Sequence, residues 1–173
     1  ANTLPEGEAM LRDINWEISQ SFPGKIRIAE DHAFDYNLNY DSMWEVSFHD
    51  HLKWQVTQAN DSDRNVNWLA DKITAWPSFQ RVLFSESHDT VGDLNNKKRL
   101  PRDIDSGNPQ SIWARKRALL AASVVLTSPG IPMIFQGQEM NDDWTFSAET
   151  ALRWSLTNQN AGIVRAYSDL INV

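Results

Sequence analysis

Short apolar runs alternate with helical periodicities along the whole chain, and this alternation most constrains the fold. Arg81-Val82-Leu83-Phe84-Ser85 and Ile131-Pro132-Met133-Ile134-Phe135 read as strands buried on both faces. Lys25 to Glu30 reads as an earlier strand after the Pro23-Gly24 stop, and Phe34-Asp35-Tyr36-Asn37-Leu38 as a weaker one. Between and around them, apolar residues recur at helical spacing over 5–22, 66–76 and 163–171. Ser42-Met43-Trp44-Glu45 matches the S-x-x-E capping box and predicts a helix over 42–57. Asn108-Pro109 supplies a cap and a first-turn proline for a helix to Leu126, whose second half is apolar nearly all round and is expected to be deeply buried. The stretch 90–107 lacks periodicity and is expected to be a long loop. Strands separated by helices imply right-handed crossovers and a parallel sheet, hence an α/β fold in a single domain, residues 1–173.

Length then limits which α/β fold is possible. An eight-stranded β/α barrel takes about 250 residues and about 200 at the least, so a chain of 173 residues can hold only part of one. The chain has no cysteine, which excludes disulfides, thiolate nucleophiles and thiolate-bound zinc, and favours the cytoplasm. Sixteen Lys and Arg against 23 Asp and Glu give a net charge of −7, which argues against nucleic acid and membrane surfaces as partners. The one basic run, Lys97-Lys98-Arg99, reads as a solvated loop. No secretory leader pattern lies near Ala1, and the missing initiator Met leads to the expectation of an excised piece. No residue pattern asks for a cofactor or a metal.

Ligands of parallel α/β folds bind beyond the carboxyl ends of the strands. Glu30-Asp31-His32 follows the first strand, Glu86-Ser87-His88-Asp89 the third, and Gln136-Gly137-Gln138-Glu139 the fourth. Carboxylates gathered over a sheet edge suit glycoside chemistry. One acid protonates the leaving oxygen, and other carboxylates stay ionised to attack or to stabilise an oxocarbenium-like transition state. Aromatic faces complement sugars. Of the eight tryptophans, Trp44, Trp76 and Trp113 fall in predicted helices and, with Trp68 and Trp154, are expected to pack. Trp144, in a loop, is the candidate for stacking on a sugar. His49 and His51, two apart on a helix, are poor ligand geometry and are expected at the surface or an interface. Asp142-Asp143 reads as a solvated acidic turn.

Arg27-Ile28-Ala29-Glu30-Asp31, Phe84-Ser85-Glu86-Ser87-His88-Asp89 and Pro132-Met133-Ile134-Phe135-Gln136-Gly137-Gln138-Glu139 resemble, in order and spacing, the later motifs of the alpha-amylase family of glycoside hydrolases. Among its members the look is most like 1,4-alpha-glucan branching enzymes. The resemblance covers nearly the whole chain, from the helix before barrel strand five to the helix after strand eight, and makes Phe34–Leu38 similar to strand six. It implies Glu30 as general acid/base, Asp89 as the carboxylate that stabilises the transition state, and His88 as its substrate-binding neighbour. Asp31, Glu139 and Trp144 are the further substrate-binding candidates. Glu139 has the competing reading of a residue that holds its own loop.

The family implies a retaining mechanism whose nucleophilic Asp ends strand four, two residues after an Arg. No such strand precedes Pro23, and Arg12-Asp13 lies in a predicted helix. The expectation is therefore a fragment of an alpha-glucan-active glycosidase or transglycosylase, inactive by itself. A non-catalytic glucan-binding or scaffold module is the alternative. A half barrel leaves open sheet edges, so a homodimer or a complementary half barrel is the expected partner besides the glucan.

Overall fold

The computed structural model describes residues 4–30, 38–74, 78–92 and 97–173. Its centre is a sheet of four parallel strands in the order β1 (Ile28–Ala29), β2 (Ser42–Trp44), β3 (Arg81–Leu83), β4 (Ile131–Pro132). The register pairs Ile28 with Ser42, Met43 with Arg81, and Val82 with Ile131. Sequential strands lie side by side, as consecutive staves of a barrel do. The helices are α1 (Pro5–Ser21), α2 (Val46–Thr57), α3 (Val66–Thr74), α4 (His88–Val91), α5 (Leu100–Ile104), α6 (Ile112–Thr127), α7 (Leu156–Gln159) and α8 (Ala161–Ile171).

The second strand is where local signals and tertiary pairing compete. Ser42–Trp44, expected to open a helix, is β2, and α2 begins at Val46 with no side-chain cap from Glu45. The winning interactions are non-local. The Arg27 carbonyl accepts from the backbone N–H of Asp41 and Ser42, and the Glu45 N–H donates to the Val82 carbonyl. The Arg27 side chain grips the Asp41 carboxylate at 2.6 and 2.8 Å. Sheet bonds to both neighbours outweigh a cap whose worth is about 1 kcal/mol. Of the strand expected over 34–38, residues 34–37 lie outside the described residues, and Leu38 is in a short 3-10 turn.

Three other expectations change. The loop over 90–107 contains α5, started by Pro101 and anchored by buried Leu100. The α6 helix is capped by the Ser111 hydroxyl, which accepts from the Ala114 N–H, rather than by Asn108. Its apolar second half is only partly buried: Ala121, Ala122 and Val125 are sealed while Leu120 is exposed.

The core lies between the sheet and the helices α2, α3, α5 and α6, where Phe48, Leu52, Val56, Leu69, Leu83, Leu100, Ala121 and Val125 meet. Truncating one of its leucines to alanine is a change of about 2–5 kcal/mol. Gly130 lets β4 approach, because a Cβ there would lie 2.7 Å from the Leu83 side chain. At the other margin α1 is tied down by buried Asn15, whose amide donates to the Leu38 carbonyl and whose carbonyl accepts from Arg27. Met10, Ile14, Trp16 and Phe22 on this side are exposed, as is Ile28 on edge strand β1. Trp68, Trp113 and Trp154, expected to pack, are more than half exposed. Trp76 lies outside the described residues. Among the described residues no helix is long and apolar enough to cross a membrane.

Candidate functional site

Because all four strands run parallel, their carboxyl ends share one edge. Glu30 leaves the end of β1 and His88-Asp89 opens α4 after β3. The α4 turn is set by a reciprocal capping box: Thr90 Oγ1 accepts from the Ser87 N–H at 2.7 Å, and the Ser87 side chain accepts from the Thr90 backbone. This turn fixes the backbone from which His88 and Asp89 project. His88 Nε2 sits 3.6 Å from a Glu30 carboxylate oxygen and 3.4 Å from one of Asp89. One ligand atom from each of the three side chains lies within 4.8 Å of the others. All three are about half exposed.

Glu30 and Asp89, but not His88, line an open cleft of about 580 Å³ together with Trp44, Val46, His49, Asp50, Lys53, Phe84 and Lys97. A ladder of rings forms one wall. His88 meets Trp44 edge-on at 5.9 Å, Trp44 meets Phe84 at 5.3 Å, and Phe84 stacks on His49 at 5.1 Å. Trp44 is thus on a strand beside the cleft, not on a helix. The S-x-x-E pattern concealed it, because it hid the strand that ends at Trp44. His49, expected at the surface or an interface, is 3% exposed. Burial lowers its pKa to about 4, with Lys53 and Lys97 acting in the same sense and Asp50 and the Ser85 backbone opposing. The weak signal for it was its spacing with Phe48 and Leu52 on the helix face that carries the core.

The other expected site residues lie elsewhere. Asp31 is outside the described residues. Glu139 accepts from the Gly137 N–H at 2.8 Å and so holds its own loop. That loop needs its glycine: Gly137 has φ +92°, and a Cβ there would stand 3.0 Å from an Arg99 nitrogen and 3.1 Å from Asp142 Cβ. Trp144 is half exposed, but the Arg153 guanidinium lies over its ring at 4.4 Å, and it does not line the cleft with Glu30 and Asp89.

Behind the rim lies a buried polar node that the sequence pattern did not signal. Arg99, expected in a solvated run, is 1% exposed. It donates to Glu86 at 2.8 Å, to the Gln136 carbonyl at 2.7 Å and to the Trp144 carbonyl at 3.2 Å, and it lies over Phe135. The second Glu86 oxygen accepts from the Leu100 N–H at 2.6 Å. Burial pushes the Glu86 carboxyl up, against the pull of Arg99 and that N–H. Asp142 and Asp143, expected to be solvated, are buried too. Asp142 pairs with Arg153 at 2.5 Å, and Asp143 takes Arg102 at 2.7 Å, Gln110 at 2.9 Å and Arg153. Burial pushes Asp143 up, but these donors hold it below the usual carboxylate range. Asp142 and Asp143 therefore have their partners inside the protein. The loops after β3 and β4 are locked together here, which rigidifies the base of α4.

Comparison with known proteins agrees with the resemblance read from the motifs. No family model matches the chain. The 1,4-alpha-glucan branching enzyme GlgB of Prochlorococcus marinus (strain NATL1A) is 26% identical over 183 residues, covering 97% of this chain and 23% of that protein. GlgB of Methylococcus capsulatus is 26% identical over 182 residues, covering 95% and 23%. The chain thus spans less than a quarter of the length of these curated relatives. Among solved structures, pullulanase of Anoxybacillus sp. LM18-11 complexed with maltotetraose matches with a TM-score of 0.71 at 18% identity, over 95% of this chain and 28% of the other. Cyclic alpha-maltosyl-(1→6)-maltose hydrolase of Arthrobacter globiformis, in complex with maltose, matches with a TM-score of 0.73 at 15% identity, over 98% and 38%. The fold is a partial β/α barrel, and the likeness to the alpha-amylase family seen in the three motifs is borne out.

Proposed function

We propose that this chain is a segment of an alpha-glucan-active enzyme of the alpha-amylase family, and that the whole enzyme cleaves and transfers alpha-1,4-glucan as branching enzymes do. The observation that carries this reading is the convergence of Glu30, His88 and Asp89 on one rim beside an aromatic wall. Glu30 is the acid that protonates the leaving glycosidic oxygen and later, as base, takes a proton from the acceptor hydroxyl. Asp89 stays ionised and hydrogen-bonds sugar hydroxyls as positive charge develops at the anomeric carbon. His88 holds the same sugar from the side. The substrate is a starch- or glycogen-like glucan, in keeping with the maltooligosaccharides named for the solved neighbours, and the setting is cytoplasmic.

By the resemblance the attacking carboxylate ends barrel strand four, the strand before the helix that α1 matches. The pair Glu30 and Asp89 does not replace it by inversion. Inverting carboxyls stand about 6.5–9.5 Å apart to admit a water, whereas these oxygens lie within 4.8 Å. Loss of a nucleophile costs several orders of magnitude in rate, so the chain by itself binds glucan without turning it over. A second copy or a complementary half barrel covers the open β1 edge and the apolar side of α1, where Ile14, Trp16 and Ile28 are exposed.

Calorimetric titration with maltoheptaose tests the reading, with iodine-stained amylose as the activity assay. Binding that Asp89→Asn weakens at least ten-fold, with no change of stain, supports it. Absence of binding contradicts it. Binding unaffected by Glu30→Gln, His88→Ala and Asp89→Asn favours the alternative of a scaffold module that holds glucan elsewhere.

A further inference from the structure

We propose that Glu30, His88 and Asp89 together chelate a divalent transition cation of the zinc type, and that the bound ion shuts the rim to glucan. The cation site stands on the geometry of the three side chains. The shutting of the rim rests on the glucan reading above and adds regulation to it.

The spacing of the three groups is that of ligands around a shared ion. His88 Nε2 lies 3.4 Å from an Asp89 carboxylate oxygen and 3.6 Å from one of Glu30. Both distances exceed the N–H···O range of about 2.7–3.2 Å, so a direct hydrogen bond to either carboxylate does not account for the arrangement. Two ligands of a tetrahedral zinc, each about 2.0–2.2 Å from the metal, stand about 3.3–3.6 Å apart. The imidazole therefore already keeps the edge of such a site with both partners, and the third edge, between the two carboxylates, is no longer than 4.8 Å. Rotation about the exposed side-chain bonds of Glu30 closes it. Sequence distance hides this set, because Glu30 follows β1 while His88-Asp89 opens α4 after β3, and only the parallel sheet brings them to one edge. The capping box of α4 holds the backbone of the pair.

Charge and donor type select the ion. Among the described residues no lysine or arginine pairs with Glu30 or Asp89, and Lys53, which lines the same cleft, is engaged with Asp103 at 2.5 Å. A dication held by two carboxylates and a neutral imidazole makes the set electrically neutral. One nitrogen and two oxygens suit zinc and its neighbours in the transition series, whereas calcium and magnesium take oxygen ligands. All three side chains are about half exposed, so the ion has a path of entry and water fills its remaining position. An ion there occupies the oxygens through which Glu30 would protonate a glycosidic oxygen and Asp89 would hold sugar hydroxyls. Metal and glucan are then mutually exclusive.

The test is calorimetric titration of the full chain with zinc chloride in a non-chelating buffer, followed by maltoheptaose titrations at increasing zinc. The expected result is one zinc per chain, with His88→Ala and Asp89→Asn each raising the zinc Kd about ten-fold or more. His51→Ala, outside the cleft, leaves it unchanged. The maltoheptaose Kd is expected to rise linearly with free zinc and to return to its zinc-free value on addition of EDTA. Absence of zinc binding up to about 1 mM, or binding that His88→Ala leaves unaltered, overturns the proposal, while the zinc-free maltoheptaose titration still judges the glucan reading. Zinc held through the triad with no effect on maltoheptaose affinity overturns the shutting of the rim. A chain that takes zinc through the triad and binds no maltoheptaose upholds the cation site and overturns the glucan reading.

Discussion

Glu86 and Asp89 lie three residues apart after the same strand, yet they meet opposite fates. Glu86 is enclosed, and both its oxygens are used, one by Arg99 and one by the Leu100 N–H. Asp89 is more than half exposed, and His88 stands near it at 3.4 Å without closing the site. The node behind the rim is finished, because each charge there has its partner inside the protein. The rim is unfinished, because its acids face open space beside an aromatic wall. Completed polar networks specify a structure, whereas a preorganised set of groups facing a cleft leaves its hydrogen bonds to a ligand. The node fixes the base of α4, and the proposed chemistry lies at its tip.

Breaking the node has the largest expected effect on stability. Arg99→Ala leaves Glu86 buried and unpaired, and denaturant unfolding is expected to register a loss of about 3–5 kcal/mol. Gly137→Ala forces a side chain into a left-handed backbone position against Arg99 and Asp142. A loss of about 1–3 kcal/mol is expected by the same measurement. A result within about 0.5 kcal/mol of the parent for either variant would mean that the node does not organise these loops.

The pH dependence sharpens the contrast between the buried and exposed histidines. His49 has a folded pKa near 4 against an ordinary value of 6.5, so between those values the unfolded chain binds the extra proton. Stability is therefore full above pH 6.5 and falls as pH drops toward 4, by about 3 kcal/mol over the window. His49→Phe is expected to flatten that part of the profile, and an unchanged slope would assign the loss to other groups. At the rim, Glu30→Gln and His88→Ala remove exposed groups, and their effect on stability is expected to be the smallest, about 0.5 kcal/mol or less. If either destabilises the chain by more than about 2 kcal/mol, the rim is structural and the comparison fails.

The alternation of strands and helices and the parallel sheet were legible from periodicity, and residues after the strands pointed to one carboxylate-bearing edge; the choice of Glu30, His88 and Asp89 from that edge came from the family resemblance. The second strand was not legible. Ser42–Trp44 carries a strong local helix-start pattern, and only its pairing with β1 and β3 overrides it. Arg99 and Asp142-Asp143 were illegible for a related reason. Charged residues in loops are ordinarily solvated, and their burial depends on partners up to 45 positions away, as in the bond from Arg99 to Trp144. The exposed Trp113 and Trp154 show the converse: large aromatic residues pack only where another surface is present to receive them.

A crystal structure of the chain with maltoheptaose tests the role of the rim most directly. The expected result is a glucosyl unit in the cleft, with its hydroxyls within hydrogen-bond distance of His88 and Asp89, its ring against Trp44, and a glycosidic oxygen beside Glu30. A sugar bound at Trp144 or on α1, with the Glu30 cleft empty, would contradict it.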